Sequence, residues 1–205
     1  KNQSSAPTGS VKLGLIGDAD ILAHDLLVNF LDKYPLITLE THVSNLGYHD
    51  IMNYGLDACV HIGEMKESSF VARPLTTVSR KLYASPAYVA AHGMPQQLSE
   101  LGRYACLVHT SLPVWPLLEG GWRPQGACIS NSLLALRELA LHEGGIALLP
   151  DHVCRDDLAA GRLLKVLPDH PIPPNPFYLI YPSREHLAPA LRSLMDFVAE
   201  RLPFA

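Results

Sequence analysis

Polar side chains able to grip a small molecule gather at a few points of the chain, each at the end of an apolar, strand-like run. Asp18 and Asp20 lie in Gly17-Asp18-Ala19-Asp20, and Ser44-Asn45 follow a second run. His109-Thr110-Ser111 follow a third, Asn131-Ser132 open a later helix, and Gly63, with Glu64 behind it, closes another strand. Hydroxyls and amides at such places hydrogen-bond a ligand without burying a charge, and N–H groups at a helix start favour polar or anionic groups. The chemistry this suits is reversible recognition. Each position also has a plainer role. Asp18 or Asp20, and Asn131 or Ser132, make good helix caps; Ser44-Asn45 suit a turn and Glu64 a solvated loop.

Bond-making chemistry finds less support. His109 beside Thr110 and Ser111 is the nearest approach to a catalytic set, but adjacency in sequence is not triad geometry. No nucleophile elbow, phosphate loop or H-E-x-x-H occurs, so no enzyme is expected. His152 and Cys154 lack further partners at ligand spacing, and neither a metal nor another cofactor is expected. Cys59, Cys106, Cys128 and Cys154 share no C-x-x-C spacing. Cys59 and Cys106 lie in apolar runs, where a free thiol behaves as a small hydrophobe. Trp115 and Trp122 flank a Gly-rich stretch and suit either a wall for an apolar ligand or plain packing.

Composition bounds the rest. Of 205 residues 48 % are hydrophobic, enough for one large domain or two lobes with real cores. Sixteen Lys plus Arg against twenty Asp plus Glu give a net charge of −4 without a basic cluster. Such a chain lacks the positive patch that displaces counterions from phosphates, so it is not expected to hold DNA itself. No apolar run nears the ~18 residues that span a bilayer, and residues 1–10 lack the apolar core of an export signal. No membrane partner and a cytoplasmic address are expected.

The elements that must position these residues alternate. Residues 1–10 read as a linker. Strands are expected at 11–16, 37–43 and 58–62, with helices at 21–34 and 50–54 between them, a β-α-β-α-β start to a largely parallel layer. A long strand over 75–84 then leads away to a short helix at 85–92, with Pro86 in its first turn. The second half repeats the logic. Strands are expected at 105–109, 127–130, 146–149, 163–167 and 177–181, and helices at 132–142, 151–160 (capped by Asp151) and 188–202. Two α/β lobes joined by a hinge pair fit this better than one sheet, with a ligand cleft between them.

Residues 82–95 (LYASPAYVAAHGMP) closely resemble the effector domains of LysR-type transcription regulators: a strand ending in Ser-Pro, a short helix with Tyr and Ala, then a Gly-x-Pro break. The resemblance continues in order through Tyr34-Pro35, Gly55-Leu56-Asp57-Ala58, Ile62-Gly63, Leu98, Leu101 and Cys106-Leu107. It ends with Gly144 to Pro150 (GGIALLP, Gly145 one step off the usual place), Gly161-Arg162-Leu163 and Tyr181-Pro182.

That resemblance implies two Rossmann-like lobes similar to type 2 periplasmic binding proteins, lobe I over 11–84 and 183–205 and lobe II over 85–182. It implies an effector-sensing domain that binds a small molecule in the interlobe cleft to control promoter binding. DNA would be held only through a winged helix-turn-helix preceding residue 1, and the domain would form a homodimer or homotetramer. Asp18, Asp20, Ser44, Asn45, Gly63, His109, Thr110, Ser111, Asn131 and Ser132 become candidate effector contacts. The alternative is an exported solute-binding protein of the same fold. Many relatives that bind small carboxylates place Ser or Thr at the start of the first helix. Asp18 and Asp20 there imply an effector with donor or positive groups, or one lying nearer lobe II. A peroxide-sensing branch uses two cysteines in the loop after the strand that 106–109 matches; residues 111–121 hold none.

Overall fold

A computed structural model describes residues 6–16, 20–44, 47–65, 69–182, 185 and 187–201, the side chains of 20–24 excepted. The elements in order are β1 (Gly9–Ile16), α1 (Asp20–Lys33), β2 (Ile37–Ser44), α2 (His49–Tyr54), β3 (Ala58–Ile62), β4 (Val71–Val78), β5 (Arg80–Ala84) and α3 (Pro86–His92). A 3-10 turn (Leu98–Arg103) leads to β6 (Cys106–His109), β7 (Gly126–Ser130), α4 (Leu133–Leu141), β8 (Ile146–Pro150), α5 (Asp151–Ala159), β9 (Leu164–Val166), β10 (Asn175–Tyr181) and α6 (Pro189–Arg201). The strand at Gly9 shortens the expected linker by two residues.

The chain divides into two compact units, Lys1–Thr77 with Pro176–Ala205, and Val78–Asn175. The first carries the sheet β2-β1-β3-β10-β4. Strands β1, β2 and β3 run parallel, with Ile16 opposite Ser44, while β10 returns antiparallel to β3. Gly14 is required here, because a Cβ would stand 2.8 Å from both Cys59 Sγ and Leu56 Cδ1. Phe30 of α1 and Tyr34 just after it meet Phe197 of α6 edge-on, at ring separations of 5.5 and 6.4 Å, and bury this side of the core. On the other side Ile51, Leu56, Cys59 and Ile180 form a buried cluster.

The second unit carries the sheet β7-β6-β8-β5-β9. Its β6, β7 and β8 are parallel, and β5 lies antiparallel between β8 and β9. Apolar side chains cover both faces. Leu82, Leu101, Val108, Trp115 and Leu148 fill one cluster; Tyr83, Leu107, Leu136, Leu149 and Leu163 fill the other. Ser85 caps α3, its hydroxyl accepting from Tyr88 N–H at 3.1 Å, as the Ser-Pro step predicts. Arg80 Nε donates to the Pro173 carbonyl at 3.0 Å, stapling the entry of this unit to its exit.

Three expectations are corrected. The single strand over 75–84 is two strands in different sheets, broken at Ser79, whose carbonyl accepts Asp151 N–H at 2.8 Å. The units therefore change over at 77/78 and 175/176 rather than at 84/85 and 182/183, because β5 pairs with β8 and β9 while β10 pairs with β3. Asp151 does not cap α5. Pro150 holds the cap position, and the Asp151 carboxylate instead accepts Tyr83 Oη–H at 2.8 Å.

Candidate functional site

The carboxyl ends of β6 and β7 lie side by side, with His109 opposite Ser130. Their loops are knotted together there. Thr110 N–H donates to the Ser130 carbonyl at 2.9 Å, and Ser132 N–H donates to Ser130 Oγ at 3.1 Å. Ser132 Oγ then accepts from Ala135 N–H at 3.2 Å, which caps α4 and fixes its start beside the loop. His109 spans the two loops, with Nε2 3.1 Å from the Asn131 carbonyl and Nδ1 2.7 Å from Ser111 Oγ. Thr110, Ser111 and Asn131 are exposed at the surface of this knot. Five of the candidate residues, His109, Thr110, Ser111, Asn131 and Ser132, are thus brought together. Ser130, which holds both loops, was missed. Its only signal in the sequence is its place as the last residue of a strand.

The Ser111–His109 contact invites an enzymatic reading, and the backbone argues against it. Acyl transfer needs N–H donors aimed at a developing oxyanion. At this turn Thr110 N–H is spent on Ser130, Ser111 N–H on His109 Nδ1 and Leu112 N–H on the His109 carbonyl. The arrangement positions side chains for contact and leaves none of these three N–H groups for an oxyanion.

In the first unit Ser44 ends β2, and Gly63 follows β3. Gly63 has φ +90°, a conformation suited to glycine, and its N–H is taken by the Pro176 carbonyl at 2.8 Å. That N–H is therefore not a ligand donor. Asp20 is the first residue of α1, but its side chain, like Asp18 and Asn45, lies outside the described residues. Glu64 is exposed.

Beneath the turn that precedes α2 lies a group of polar residues that the periodicity did not reveal. Asp50 is 0 % exposed, and among the described residues neither of its carboxyl oxygens has a hydrogen-bond partner; nor has buried His61 Nδ1. Cys59 Sγ lies 3.3 Å from the Gly47 carbonyl, which also accepts Asp50 N–H at 3.0 Å. Burial, with the Asp50 charge adding to it, pushes the Cys59 thiol up to about 12. Burial likewise lowers His61 below the ordinary imidazole value.

The remaining chemistry-bearing residues are structural. Trp115 is 1 % exposed and exchanges two backbone hydrogen bonds with Trp122, at 2.7 and 2.8 Å, so these indoles pack the β6–β7 loop. Cys106 and Cys154 are buried, and burial raises both thiols to about 12. Among the described residues no group of three or more His, Cys, Asp or Glu could hold a metal ion, and no helix is long and apolar enough to cross a membrane.

Comparison with known proteins decides the family. The model for the LysR substrate binding domain matches residues 4–203. The chain belongs to the LysR family. It is 33 % identical over 184 residues to the HTH-type transcriptional regulator CrgA of Neisseria meningitidis serogroup C, covering 86 % of this chain and 61 % of CrgA. The chain thus spans about three fifths of that relative. The CrgA regulatory domain superposes with a TM-score of 0.85 at 31 % identity, over 96 % of this chain and 100 % of that one. Full-length AphB, a virulence activator of Vibrio cholerae, gives a TM-score of 0.85 at 26 % identity, covering 97 % of this chain and 70 % of AphB. These LysR regulatory domains share the periplasmic-binding-protein-like, two-lobe fold anticipated from the sequence, here built on two mixed α/β sheets. The relatives are named as transcription regulators, which favours a regulatory domain over a transport component or an enzyme.

Proposed function

We propose that this LysR domain senses a small-molecule effector and passes its occupancy to a DNA-binding segment of the whole protein, so controlling promoter binding. The observation that carries the proposal is the knot of His109, Thr110, Ser111, Asn131 and Ser132. It displays exposed hydroxyls at parallel strand ends, where α/β folds present ligands. Asp18, Asp20, Ser44, Asn45 and Gly63, the last through its carbonyl, are the proposed contacts of the first unit, carried by family resemblance and by the positions of Ser44 at the end of β2 and Gly63 after β3. An effector acts only through its differential affinity for two states of the protein. A promoter-binding regulator of this kind works in the cytoplasm.

The test is a metabolite screen by thermal shift. A ligand at about 100 times its Kd stabilises by ~2.7 kcal/mol, or roughly 5–10 °C at this size. Thr110→Ala with Ser111→Ala is expected to abolish the shift of any hit. A hit unaffected by that pair would place the effector elsewhere.

Homo-oligomers, dimers or tetramers, are part of the proposal. Val28 and Leu31 of α1, Leu36, and Val43 of β2 are exposed apolar residues, as are Leu134 and Leu139 of α4, and Ile129 of β7 is 66 % exposed. Packing the α1/β2 face of one copy against α4 of another, antiparallel and two-fold symmetric, covers both sets. Light scattering is expected to find a dimer that Leu134→Glu converts to monomer; a wild-type monomer at high concentration would refute this.

A further inference from the structure

We infer that Ser111 is fixed as a hydrogen-bond acceptor. The effector group it recognises is then a donor, an ammonium, amide N–H or hydroxyl, rather than a carboxylate. The inference rests on the reading of this knot as an effector site and narrows the class of molecule that site takes.

Two backbone groups settle the argument, because neither can change its role. Ser111 N–H carries a proton and directs it at His109 Nδ1, 3.1 Å away, so Nδ1 must be an acceptor without a proton. The Asn131 carbonyl has none, so its 3.1 Å contact with Nε2 requires Nε2–H. One form of the ring satisfies both, the neutral imidazole protonated on Nε2.

Ser111 Oγ stands 2.7 Å from the same bare Nδ1. Two acceptors do not bond, so the hydroxyl gives its proton to the ring. What the exposed Ser111 oxygen offers outward is lone pairs. A carboxylate arriving there meets those lone pairs, and it finds the N–H groups of Thr110, Ser111 and Leu112 already spent. To bind, it would have to turn the hydroxyl away from Nδ1 and lose that bond. A donor binds without rearrangement.

The experiment uses the full 205-residue chain labelled with 15N. Long-range 1H–15N spectra near neutral pH read the His109 ring, and amide spectra follow titrations with methylammonium and with acetate at matched ionic strength. The expected result is a bare Nδ1, with methylammonium shifting the amides of Thr110, Ser111 and Ser132 while acetate leaves them in place. Ser111→Ala should lose the methylammonium response. His109→Ala should free the hydroxyl and let acetate shift the same amides. A proton on Nδ1, or acetate shifting the wild-type amides as far as methylammonium does, overturns the inference. Acetate binding alone would leave the effector-site reading standing, whereas no response to either probe would count against both.

Discussion

Replacing Asp157 by Ala should cost the second unit about 3 kcal/mol, since it strips a buried carboxylate from between two arginines. Asp157 is 1 % exposed, and Oδ2 accepts from Arg137 Nε at 2.6 Å while Oδ1 accepts from Arg162 Nε at 2.8 Å. Its backbone carbonyl also takes the N–H groups of Arg162 and Leu163 at 2.8 and 3.3 Å, closing the end of α5. Breaking a fully buried pair costs ~3–5 kcal/mol. The Arg162 side chain is 55 % exposed and turns to water when released, so its share is near the ~0–1 kcal/mol of a surface pair. Arg137, at 24 %, keeps more of the penalty. A loss of about 3 kcal/mol corresponds to a fall in Tm of roughly 6–12 °C at this size. Arg162→Met, as the control, should cost under ~1 kcal/mol. The assay is urea unfolding and calorimetry of the full chain, read with probes in the second unit, because two units need not melt as one. Burial alone would raise the Asp157 carboxyl, but the two guanidiniums outweigh it and hold it below its ordinary 3.8. A folded value below the unfolded one contributes stability that is present above pH 3.8 and lost as pH falls through the folded value. The gap between wild type and Asp157→Ala should therefore close in stronger acid. If Asp157→Ala costs no more than Arg162→Met, the buried clamp is not what holds α4 to α5.

Two further outcomes follow from burial. With Cys59, Cys106 and Cys154 buried and raised to about 12, only the partly exposed Cys128 should react when the native chain meets iodoacetamide; mass spectrometry should find one adduct native and four after denaturation. Rapid native labelling of a second thiol would show that one of the cores opens readily. His61 is lowered below 6.5 by burial, so the unfolded chain binds more protons just beneath that pH. Its contribution is present above 6.5 and lost as pH falls from there through the folded value. His61→Gln should flatten the decline of Tm in that window, and an unchanged slope would mean that His61 does not bear on it.

The elements were legible where one local rule acts alone. Ser85 before Pro86, and Ser132 before the apolar run of α4, are caps by type and by position, and both cap. Asp151 follows the same rule on paper, yet Tyr83, 68 residues earlier, claims its carboxylate. Distant partners of that kind leave no periodicity to find. Ser79 is similar: nothing nearby marks it as the break between β4 and β5, because the break reflects pairing with strands from the end of the chain. The 3-10 turn over Leu98–Arg103 was missed for a local reason, since six residues are too few to show a helical repeat. In the knot the hydroxyls could be foreseen, but not the tautomer that sets their polarity, which needs Asn131 brought to His109 across 22 residues.

The staple from Arg80 to Pro173 marks the second unit as an uninterrupted stretch of chain, whereas the first is assembled from two stretches that flank it. A ribosome therefore delivers all of the second unit while β3 still waits for β10, and α1 for α6. Domains fold as their last residues emerge. During synthesis the later-starting unit is completed first, and the nascent first sheet is held with β3 an open edge until Asn175–Tyr181 arrives to close it. An open edge of this kind is where wrong pairing begins. The interval in which this domain is most exposed to aggregation is set by the length of the unit inserted within it.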